Sequence, residues 1–358
     1  MDKDSIIIEA MAGIELSLTM EKNAREKYKA IYNYIESKGL EYDFIPQGSF
    51  LIGTAIRPFR GDKDGNYDLD VLTISRSLKT MITPGEVKNK LGDCLKDNQI
   101  YANKLETEDE NCWTLQYAEV SDGIGFALDL VPAVNEVVDN LIPYNDKIVF
   151  ITQKSNNSYD WRRSNSLGFG DWFLDINKNF LTTELMERQS RSLIENHYYA
   201  TIDDIPKYAY KTNLQRAIQF VKRHRDMFFS KNNGNKPSTI LVTALITDSV
   251  KTTPFLSISD IISQFVKDFQ SDSISIKKKS KVTNPVDSFD NLADGMTSRD
   301  WQAINDWIVK LGELINSTNE RNIKLSLQRN INPKAFGDLS KITTKNIVPV
   351  KPWRAVID

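Results

Sequence analysis

The sequence predicts an α+β protein with a mixed sheet in its first half and helices in its second half. Two segments of the first half, YDLDVLTI (67–74) and GFALDLVPAV (125–134), are apolar and rich in β-branched residues, which is typical of strands. From Trp172 onward most segments have apolar residues at helical spacing, which predicts helices. A run of strands followed by a run of helices is typical of the α+β class.

The composition is that of an ordinary soluble globular protein, and it excludes several functions. The chain has 358 residues, of which 40% are hydrophobic and 26% charged, so it can bury a full core. Two Cys and two His are too few for a disulfide scaffold or a zinc module. The formal net charge of −2 argues against a surface that binds DNA everywhere by neutralising phosphates.

The sequence predicts a cytoplasmic protein without a membrane segment. Acidic residues such as Asp4 and Glu9 interrupt the N-terminal apolar patch, unlike the uninterrupted stretch of a signal peptide. No apolar run approaches the ~18 residues of a membrane-spanning helix. Cys94 and Cys112 are expected to be two inert thiols in a reducing compartment.

The first half is predicted to begin with a long N-terminal helix, or two helices in sequence, over about residues 5–38. Lys and Glu separate its apolar residues at helical spacing, and Gly39 is well placed to end it. Several glycines and prolines between residues 42 and 65 predict turns before the strand YDLDVLTI (67–74). The other predicted elements are a helix at 86–97, two strands at 113–120 and 125–134 joined by an Asp122-Gly123 turn, and a strand at 147–152.

The second half is predicted to be a bundle of helices. Their expected positions are 172–197, 211–229, 238–250, 258–270 and 299–317. The change from mixed strands and helices to helices alone falls near residues 155–175. It predicts a bilobed protein with two units, 1–165 and 166–358, and a cleft between them.

Three aspartates stand in predicted strands, where carboxylates are rare because burying an unpaired charge is costly. A strand places Asp68 and Asp70 on one face, about 7 Å apart along the backbone. Asp129 lies inside the apolar run FALDLVPAV. Such carboxylates repel one another unless a cation joins them, and a pair of Mg²⁺ ions that also bind phosphate would do so. The alternative is that Asp68 and Asp70 are surface carboxylates on an edge strand.

A Gly-Ser turn precedes the first two aspartates. Gly48 and Ser49 could offer backbone N–H groups and a hydroxyl to phosphate, although a lone Gly-Ser is more often an ordinary turn. The order along the chain is more informative. Asp68 follows Ser49 by 19 residues, and Asp129 follows Asp70 by 59 residues.

This order resembles the signature of the nucleotidyltransferase superfamily of the DNA polymerase β type. Longer segments resemble the bacterial cyclic-oligonucleotide synthases, the CD-NTases of CBASS antiphage systems, which are relatives of animal cyclic GMP-AMP synthase and oligoadenylate synthetase. The resemblance covers about residues 40–310. Its segments are QGSFLIGTAIRP (47–58), YDLDVLTI (67–74), LDLVPAV (128–134), WRRSNSLGFGDWF (161–173), LQRAIQFVKRHRD (214–226), KPSTILVTAL (236–245) and NPVDSFDNLAD (284–294).

The resemblance implies a polymerase β-like core, a helical domain similar to that of oligoadenylate synthetases, and a two-metal site. By this analogy the aspartate triad, Asp68, Asp70 and Asp129, binds two Mg²⁺ ions, with Mn²⁺ as a substitute. Asp129 would also polarise the attacking ribose hydroxyl. The turn formed by Gln47, Gly48 and Ser49 would bind the β- and γ-phosphates.

The resemblance also implies binding residues in and near the second half. Lys222 would grip the donor triphosphate and Ser238, at the start of a helix, would touch it. Taken alone, the charged run Lys222–Arg225 favours a solvated helix face. Tyr159 or Trp161 is a candidate for stacking on a base, and Asn165 or Ser166 for contacting a base edge; an aromatic near a domain junction is more often a core residue.

The expected function is synthesis of a cyclic di- or trinucleotide from NTPs, ATP among them, for a downstream effector. The alternatives are a template-free linear polymerase, a transferase that modifies a small molecule, and a nucleotide-binding pseudoenzyme. The chain has too few Cys and His for the zinc insert of cyclic GMP-AMP synthase, and together with the net charge this argues against activation by DNA. No DNA or RNA template is expected either. LysLysLys at 277–279 is expected to be a solvated loop and the tail 351–358 a frayed end.

Overall fold

A computed structural model of the chain confirms the α+β class. It describes residues 2–60, 63–121, 124–136, 142–181, 211–232, 234–254, 256–271, 281–337 and 339. The predictions for residues 277–279 and for the tail 351–358 lie outside the described residues, and so does the part of the predicted helix 172–197 that follows Leu181.

The N-terminal segment forms two helices in sequence, α1 (Lys3–Met11) and α2 (Leu18–Ser37). The side chain of Ser17 caps α2 by accepting a hydrogen bond from the N–H of Met20. Apolar residues of α2 at helical spacing are buried, as the pattern predicted. Of the two arrangements left open by the sequence, the structure therefore has the one with two helices.

The first half is built around a mixed sheet. Its strands are β1 (Tyr42–Pro46), β4 (Tyr67–Ser75), β5 (Trp113–Ser121), β6 (Ile124–Asn135), β7 (Val149–Ser155) and β8 (Ser158–Ser164), in the order β1-β4-β6-β7-β8 with β5 also paired to β6. The elements between them are the helices α3 (Gly48–Leu51), α4 (Pro84–Lys96) and α5 (Gln99–Ala102) and the hairpin β2 (Phe59–Arg60) and β3 (Lys63–Asp64). Strands β1 and β8 were not predicted, and β8 has a largely polar sequence without an apolar alternation.

The pairing of β6 determines the geometry of the candidate site. It pairs antiparallel with β5, which confirms the predicted hairpin, whose turn residues lie outside the described part of the chain. It pairs in parallel with β4, and this register places Asp70 opposite Asp129. Because β4 also pairs with β1, the alternative that it is an edge strand is wrong.

The second half is mainly helical, as predicted. The described helices are α6 (Ser166–Asn177), α7 (Asn213–Phe229), α8 (Thr239–Val250), α9 (Ile258–Gln270), α10 (Ser298–Asn316) and α11 (Glu320–Asn330), and the short strands β9 (Thr283–Asn284) and β10 (Asp287–Asn291) form a hairpin. Helix α6 begins before the predicted position because the side chain of Asn165 caps it at the N–H of Gly168. Helix α11 was not predicted.

The described residues form two large hydrophobic cores. One packs α2 and α4 against the sheet, and the other joins α6 to the later helices. Helix α1 contributes Ile6, Ile7 and Met11 to the helical core, although it lies in the first unit of the predicted division. The division at 165/166 therefore stays a prediction, and so does the bilobed shape. No described helix is long and apolar enough to cross a membrane.

Candidate active site

The aspartates of β4 lie on one face of the strand. Tyr67, Leu69 and Val71 alternate with them and are buried in the core of the sheet, whereas Asp68 and Asp70 lie on the other, partly exposed face. Asp129 is the register partner of Asp70 on β6. Residues paired on neighbouring parallel strands are ~5 Å apart, so two carboxylates that are distant in sequence start from adjacent backbone positions.

The electrostatics of Asp70 reflect this arrangement. Burial is the largest cause that raises its pKa, and the neighbouring carboxylates of Asp129 and Asp68 raise it further, to about 7. The positive charge of Lys222 acts in the opposite direction without cancelling the effect. A cation placed among these oxygens would relieve the repulsion and favour the ionised carboxylate.

Asp129 is held by a neighbouring strand. The hydroxyl of Thr114 on β5 donates to Oδ1 of Asp129 over 2.6 Å. Burial raises the pKa of Asp129, and this hydrogen bond partly opposes the rise. Thr114 therefore orients one oxygen of the carboxylate.

The aspartate triad fits a hard divalent cation by its donor chemistry. All its ligand atoms are carboxylate oxygens, which Mg²⁺ and Mn²⁺ prefer to nitrogen or sulfur. In the described part of the chain, however, no three His, Cys, Asp or Glu side chains are already gathered around one point as a metal site. The strands bring two of the aspartates into register, and the metal site itself stays a prediction.

The Gly48-Ser49 turn lies directly beside Asp70. The backbone N–H of Gln47 donates to the carbonyl of Asp70 over 2.9 Å, which joins the turn to β4. Gly48 begins α3 with φ +61°, a left-handed conformation that glycine adopts at little cost. A Cβ at this position would lie 2.9 Å from Oδ2 of Asp70. Both the backbone conformation and the close approach therefore require glycine here.

We expect Gly48→Ala to lower activity at least ~10-fold, because the new Cβ displaces Asp70 in addition to straining the backbone by ~1–2 kcal/mol. Gly39→Ala is the matched control, since Gly39 has φ +72° but a Cβ there meets nothing within 4 Å. Steady-state kinetics and thermal unfolding of both variants check this. Equal activity losses in the two variants would contradict the role of Gly48.

The charged run of α7 is buried, so its interpretation as a solvated helix face is wrong. Residues Lys222 to Arg225 are only 2–5% exposed. The ammonium of Lys222 donates to the carbonyl of Thr54 over 2.8 Å. Burial, followed by the charge of Arg225, lowers the pKa of Lys222 to about 7.

Two further basic residues stand beside Lys222, and sequence reasoning missed them. Arg225 and Lys236 both contact Oδ1 of the buried Asp226, at 2.7 Å and 3.1 Å. Arg225 also donates to the carbonyl of Pro237, just before Ser238, whose side chain caps α8 at the N–H of Leu241. The segments LQRAIQFVKRHRD and KPSTILVTAL contain all these residues, but their spacing does not show that they share Asp226.

A cavity of about 410 Å³ brings the acidic and basic groups together. Asp68 and Asp70 line it together with Gly48 and Ser49. The residues that line it from the second half include Ser166, Phe169, Lys222, Arg225, Asp226, Lys236, Ser238 and Thr243. Among the described residues, the buried hydroxyls of Ser166 and Thr243 have no hydrogen-bond partner. Asp129 is not among the residues that line this cavity, although its register partner Asp70 is.

The predicted base-contacting residues lie in different places, and most of them do not line the cavity. Tyr159 and Trp161 lie on β8, and the hydroxyl of Tyr159 donates to Glu108 over 3.0 Å. Asn165 is buried, and its amide donates to the carbonyls of Tyr144 and Val286. Among these candidates, Ser166 lines the cavity. A role for Tyr159 or Asn165 in base binding stays a prediction.

Comparison with known proteins gives relatives of one kind. The chain is 29% identical over 287 residues to a c-di-GMP synthase of Roseivirga ehrenbergii, covering 78% of this chain and 69% of that protein. It is 25% identical over 258 residues to the cyclic dinucleotide synthase CdnG of Bradyrhizobium diazoefficiens, covering 67% of this chain and 56% of the synthase. The chain thus spans little more than half of CdnG in that alignment. No family model matches the chain.

The fold is also similar to that of solved CD-NTase structures. The solved structure of the CD-NTase CdnG of Bradyrhizobium diazoefficiens in complex with GTP is similar with a TM-score of 0.68 and 20% identity. The match covers 92% of this chain and 95% of that one. The sequence similarities confirm the predicted resemblance and the predicted class of enzyme, and the structural similarity confirms the predicted fold.

Proposed function

We propose, from the premise that this chain is a nucleotidyltransferase similar to the CD-NTases, that it joins two nucleoside triphosphates into a cyclic dinucleotide. The names of its relatives favour a dinucleotide over a trinucleotide, and favour GTP among the substrates alongside the expected ATP. By the same resemblance, the product would be a second messenger of a CBASS antiphage system that acts on a downstream effector.

The observation that supports this proposal best is the distribution of charge in the 410 Å³ cavity. Carboxylates of β4 line it from the first half, and Lys222, Arg225 and Lys236 line it from the second half together with Asp226, which Arg225 and Lys236 contact. A triphosphate with divalent cations needs both kinds of wall, because the cations neutralise the phosphates on one side and ammonium or guanidinium groups do so on the other. A pseudoenzyme that only binds nucleotide would not need the carboxylates of β4 in this cavity.

The first bond would form by attack of a ribose hydroxyl oxygen on the α-phosphorus of a donor NTP, and the second by attack of the other ribose hydroxyl on the α-phosphorus of the linear intermediate's own triphosphate. Pyrophosphate is the leaving group in both steps, and the hydroxyl proton passes to solvent. Bound divalent cations would supply charge neutralisation and activation of the hydroxyl, held by the aspartate triad. Gly48 and Ser49 would orient the β- and γ-phosphates from one side. Lys222 and Ser238 would bind the triphosphate from the other, so that the departing pyrophosphate keeps its charge compensated.

The test is incubation of purified protein with the four NTPs and Mg²⁺, or Mn²⁺, followed by mass spectrometry and nuclease mapping. We expect a cyclic dinucleotide and pyrophosphate in a 1:2 ratio. Ladders of linear products would favour a polymerase, and a labelled small molecule would favour a transferase. Either outcome, or no product with any metal across a range of pH, would contradict the proposal.

We expect the stabilisation of the protein by Mg²⁺, measured as the rise in Tm, to grow between pH 6 and pH 8. The pKa of Asp70 is raised from 3.8 to about 7, so below pH 7 a proton competes with the cation for this carboxylate. Without metal, Asp70 stays protonated in the folded protein up to about pH 7, whereas in the unfolded chain it loses its proton near pH 4. Asp70 therefore lowers the free energy of unfolding as the pH rises from about 4 to 7. Asp70→Asn is the control and should reduce the pH dependence. An equal rise in Tm at pH 6 and pH 8 would contradict this interpretation.

A further inference from the structure

Helix α7 holds the segment 52–57, which follows the Gly48-Ser49 helix, through four side chains. We name these donors the α7 clamp. Its hydrogen bonds run from Gln215 to the carbonyl of Ile52 (2.9 Å), from Gln219 to that of Ala55 (2.9 Å), from Lys222 to that of Thr54 (2.8 Å) and from Arg223 to that of Arg57 (3.1 Å). The donors recur at intervals of four, three and one residues, so they lie on one face of the helix.

The clamp is buried, which is unusual for contacts to a loop. Gln215 and Gln219 have no exposed surface. Loops normally lie at the surface because their buried carbonyls would lack donors. Here α7 supplies those donors from its side chains, so segment 52–57 can lie between the turn and the helix with its carbonyls paired.

One residue of this segment, Thr54, connects the two predicted phosphate-binding residues. The N–H of Thr54 donates to the carbonyl of Ser49 over 2.9 Å, and the carbonyl of Thr54 accepts from Lys222. The ammonium of Lys222 has three donor hydrogens, so it can keep this bond and still contact phosphate. Thr54 therefore links the backbone of Ser49 to the ammonium of Lys222 through two hydrogen bonds.

We propose that Gln219 is a positioning residue, which acts through Thr54 to keep Ser49 and Lys222 at the spacing that a triphosphate requires. This inference rests on the proposed function. Gln219 holds the carbonyl of Ala55, next to Thr54, and does not itself reach the cavity lining. Without this donor the carbonyl of Ala55 loses its hydrogen bond, and the neighbouring Thr54, which joins the two phosphate-binding residues, is free to shift. A shift of about 1 Å is enough to lower binding or turnover substantially.

The test compares Gln219→Met with Gln328→Met. Both glutamines donate through Nε2 to backbone carbonyls, but Gln328 bonds Ala335 and Gly337, away from the cavity. Calorimetry with GTP and ATP in the presence of Mg²⁺, steady-state kinetics, and hydrogen exchange of the peptide containing Thr54 are measured for each. For Gln219→Met we expect binding ~10-fold weaker, a larger change in KM than in kcat, and faster exchange at Thr54. For Gln328→Met we expect none of these.

A double variant separates positioning from general destabilisation. If Gln219 acts through the Ser49 turn, the losses of NTP affinity in Gln219→Met and Ser49→Ala are less than additive when combined. Unchanged exchange at Thr54, or equal NTP affinity in the Gln219 and Gln328 variants, overturns the inference. Failure of the proposed function gives a different result in the wild-type protein. That protein would then bind NTP without making a cyclic product, or it would bind no NTP, while hydrogen exchange at Thr54 would still respond to Gln219→Met.

Discussion

Replacement of both aspartates of β4, Asp68→Asn together with Asp70→Asn, is expected to lower nucleotide synthesis at least ~10³-fold. The amides keep the shape of the side chains but can no longer offer charged oxygens to a cation. The fold should tolerate the change, because the variant no longer places like charges together at a position where burial already raises the pKa of Asp70. Product formation by mass spectrometry and thermal unfolding without metal measure the two effects.

Asp43→Asn is the matched control for the aspartate pair. Asp43 lies on the neighbouring strand β1 and forms an exposed ion pair with Arg76 at 2.9 Å. Exposed pairs contribute only ~0–1 kcal/mol, so this variant should keep both its activity and its stability. Unchanged product output from the double variant would disprove the assignment of the site to β4.

Loss of the Lys222 ammonium is expected to weaken NTP binding ~10- to 100-fold, since a charged hydrogen bond in a buried site is worth ~1.5–3 kcal/mol. Lys222→Met keeps most of the side-chain volume and removes the charge. The binding of Mg²⁺ should change much less, because the carboxylates that hold it lie on β4 and β6. Calorimetric titrations with NTP and with Mg²⁺ alone separate these two effects.

Lys88→Met is the control for the Lys222 variant. Lys88 is also fully buried, and its ammonium donates to the carbonyls of Asp109 and Glu110 without lining the cavity. Both variants leave carbonyls without their donor and should lose stability by ~1–3 kcal/mol. Only the Lys222 variant should lose NTP affinity. Equal affinities would show that Lys222 has a purely structural role.

Local sequence pattern was sufficient for most of the elements and for the chemical character of the site. The alternation in YDLDVLTI predicted a strand with Asp68 and Asp70 on one face, because side chains on a strand alternate between its faces. Helical spacing likewise predicted α7, α9 and α10 to within a few residues. Among the elements that were missed, β8 and α11 are polar sequences whose burial is decided by what packs on them.

Local sequence pattern gave the wrong environment for the charged residues of α7. A run of four basic residues on α7 favours a solvated face when it is considered alone. In the structure this helix is covered on more than one side, by the segment 52–57 and by residues such as Trp307, whose Nε1 donates to Nδ1 of His224 over 2.9 Å. Burial lowers the pKa of His224 to about 3, so it is a neutral acceptor there and not a surface charge. Long-range packing therefore reversed the environment of the whole run.

The sequence by itself determined which residues could do the chemistry: carboxylates in strands, a Gly-Ser turn before them, and few Cys or His, so any metal must be held by oxygen. Only the tertiary structure decided which of them meet. The parallel pairing of β4 with β6 places Asp129 opposite Asp70 across 59 residues of chain, and α7 brings Lys222 to the Ser49 turn through Thr54. Such contacts depend on strand register and on hydrogen bonds between distant segments, neither of which leaves a periodic signal in the sequence.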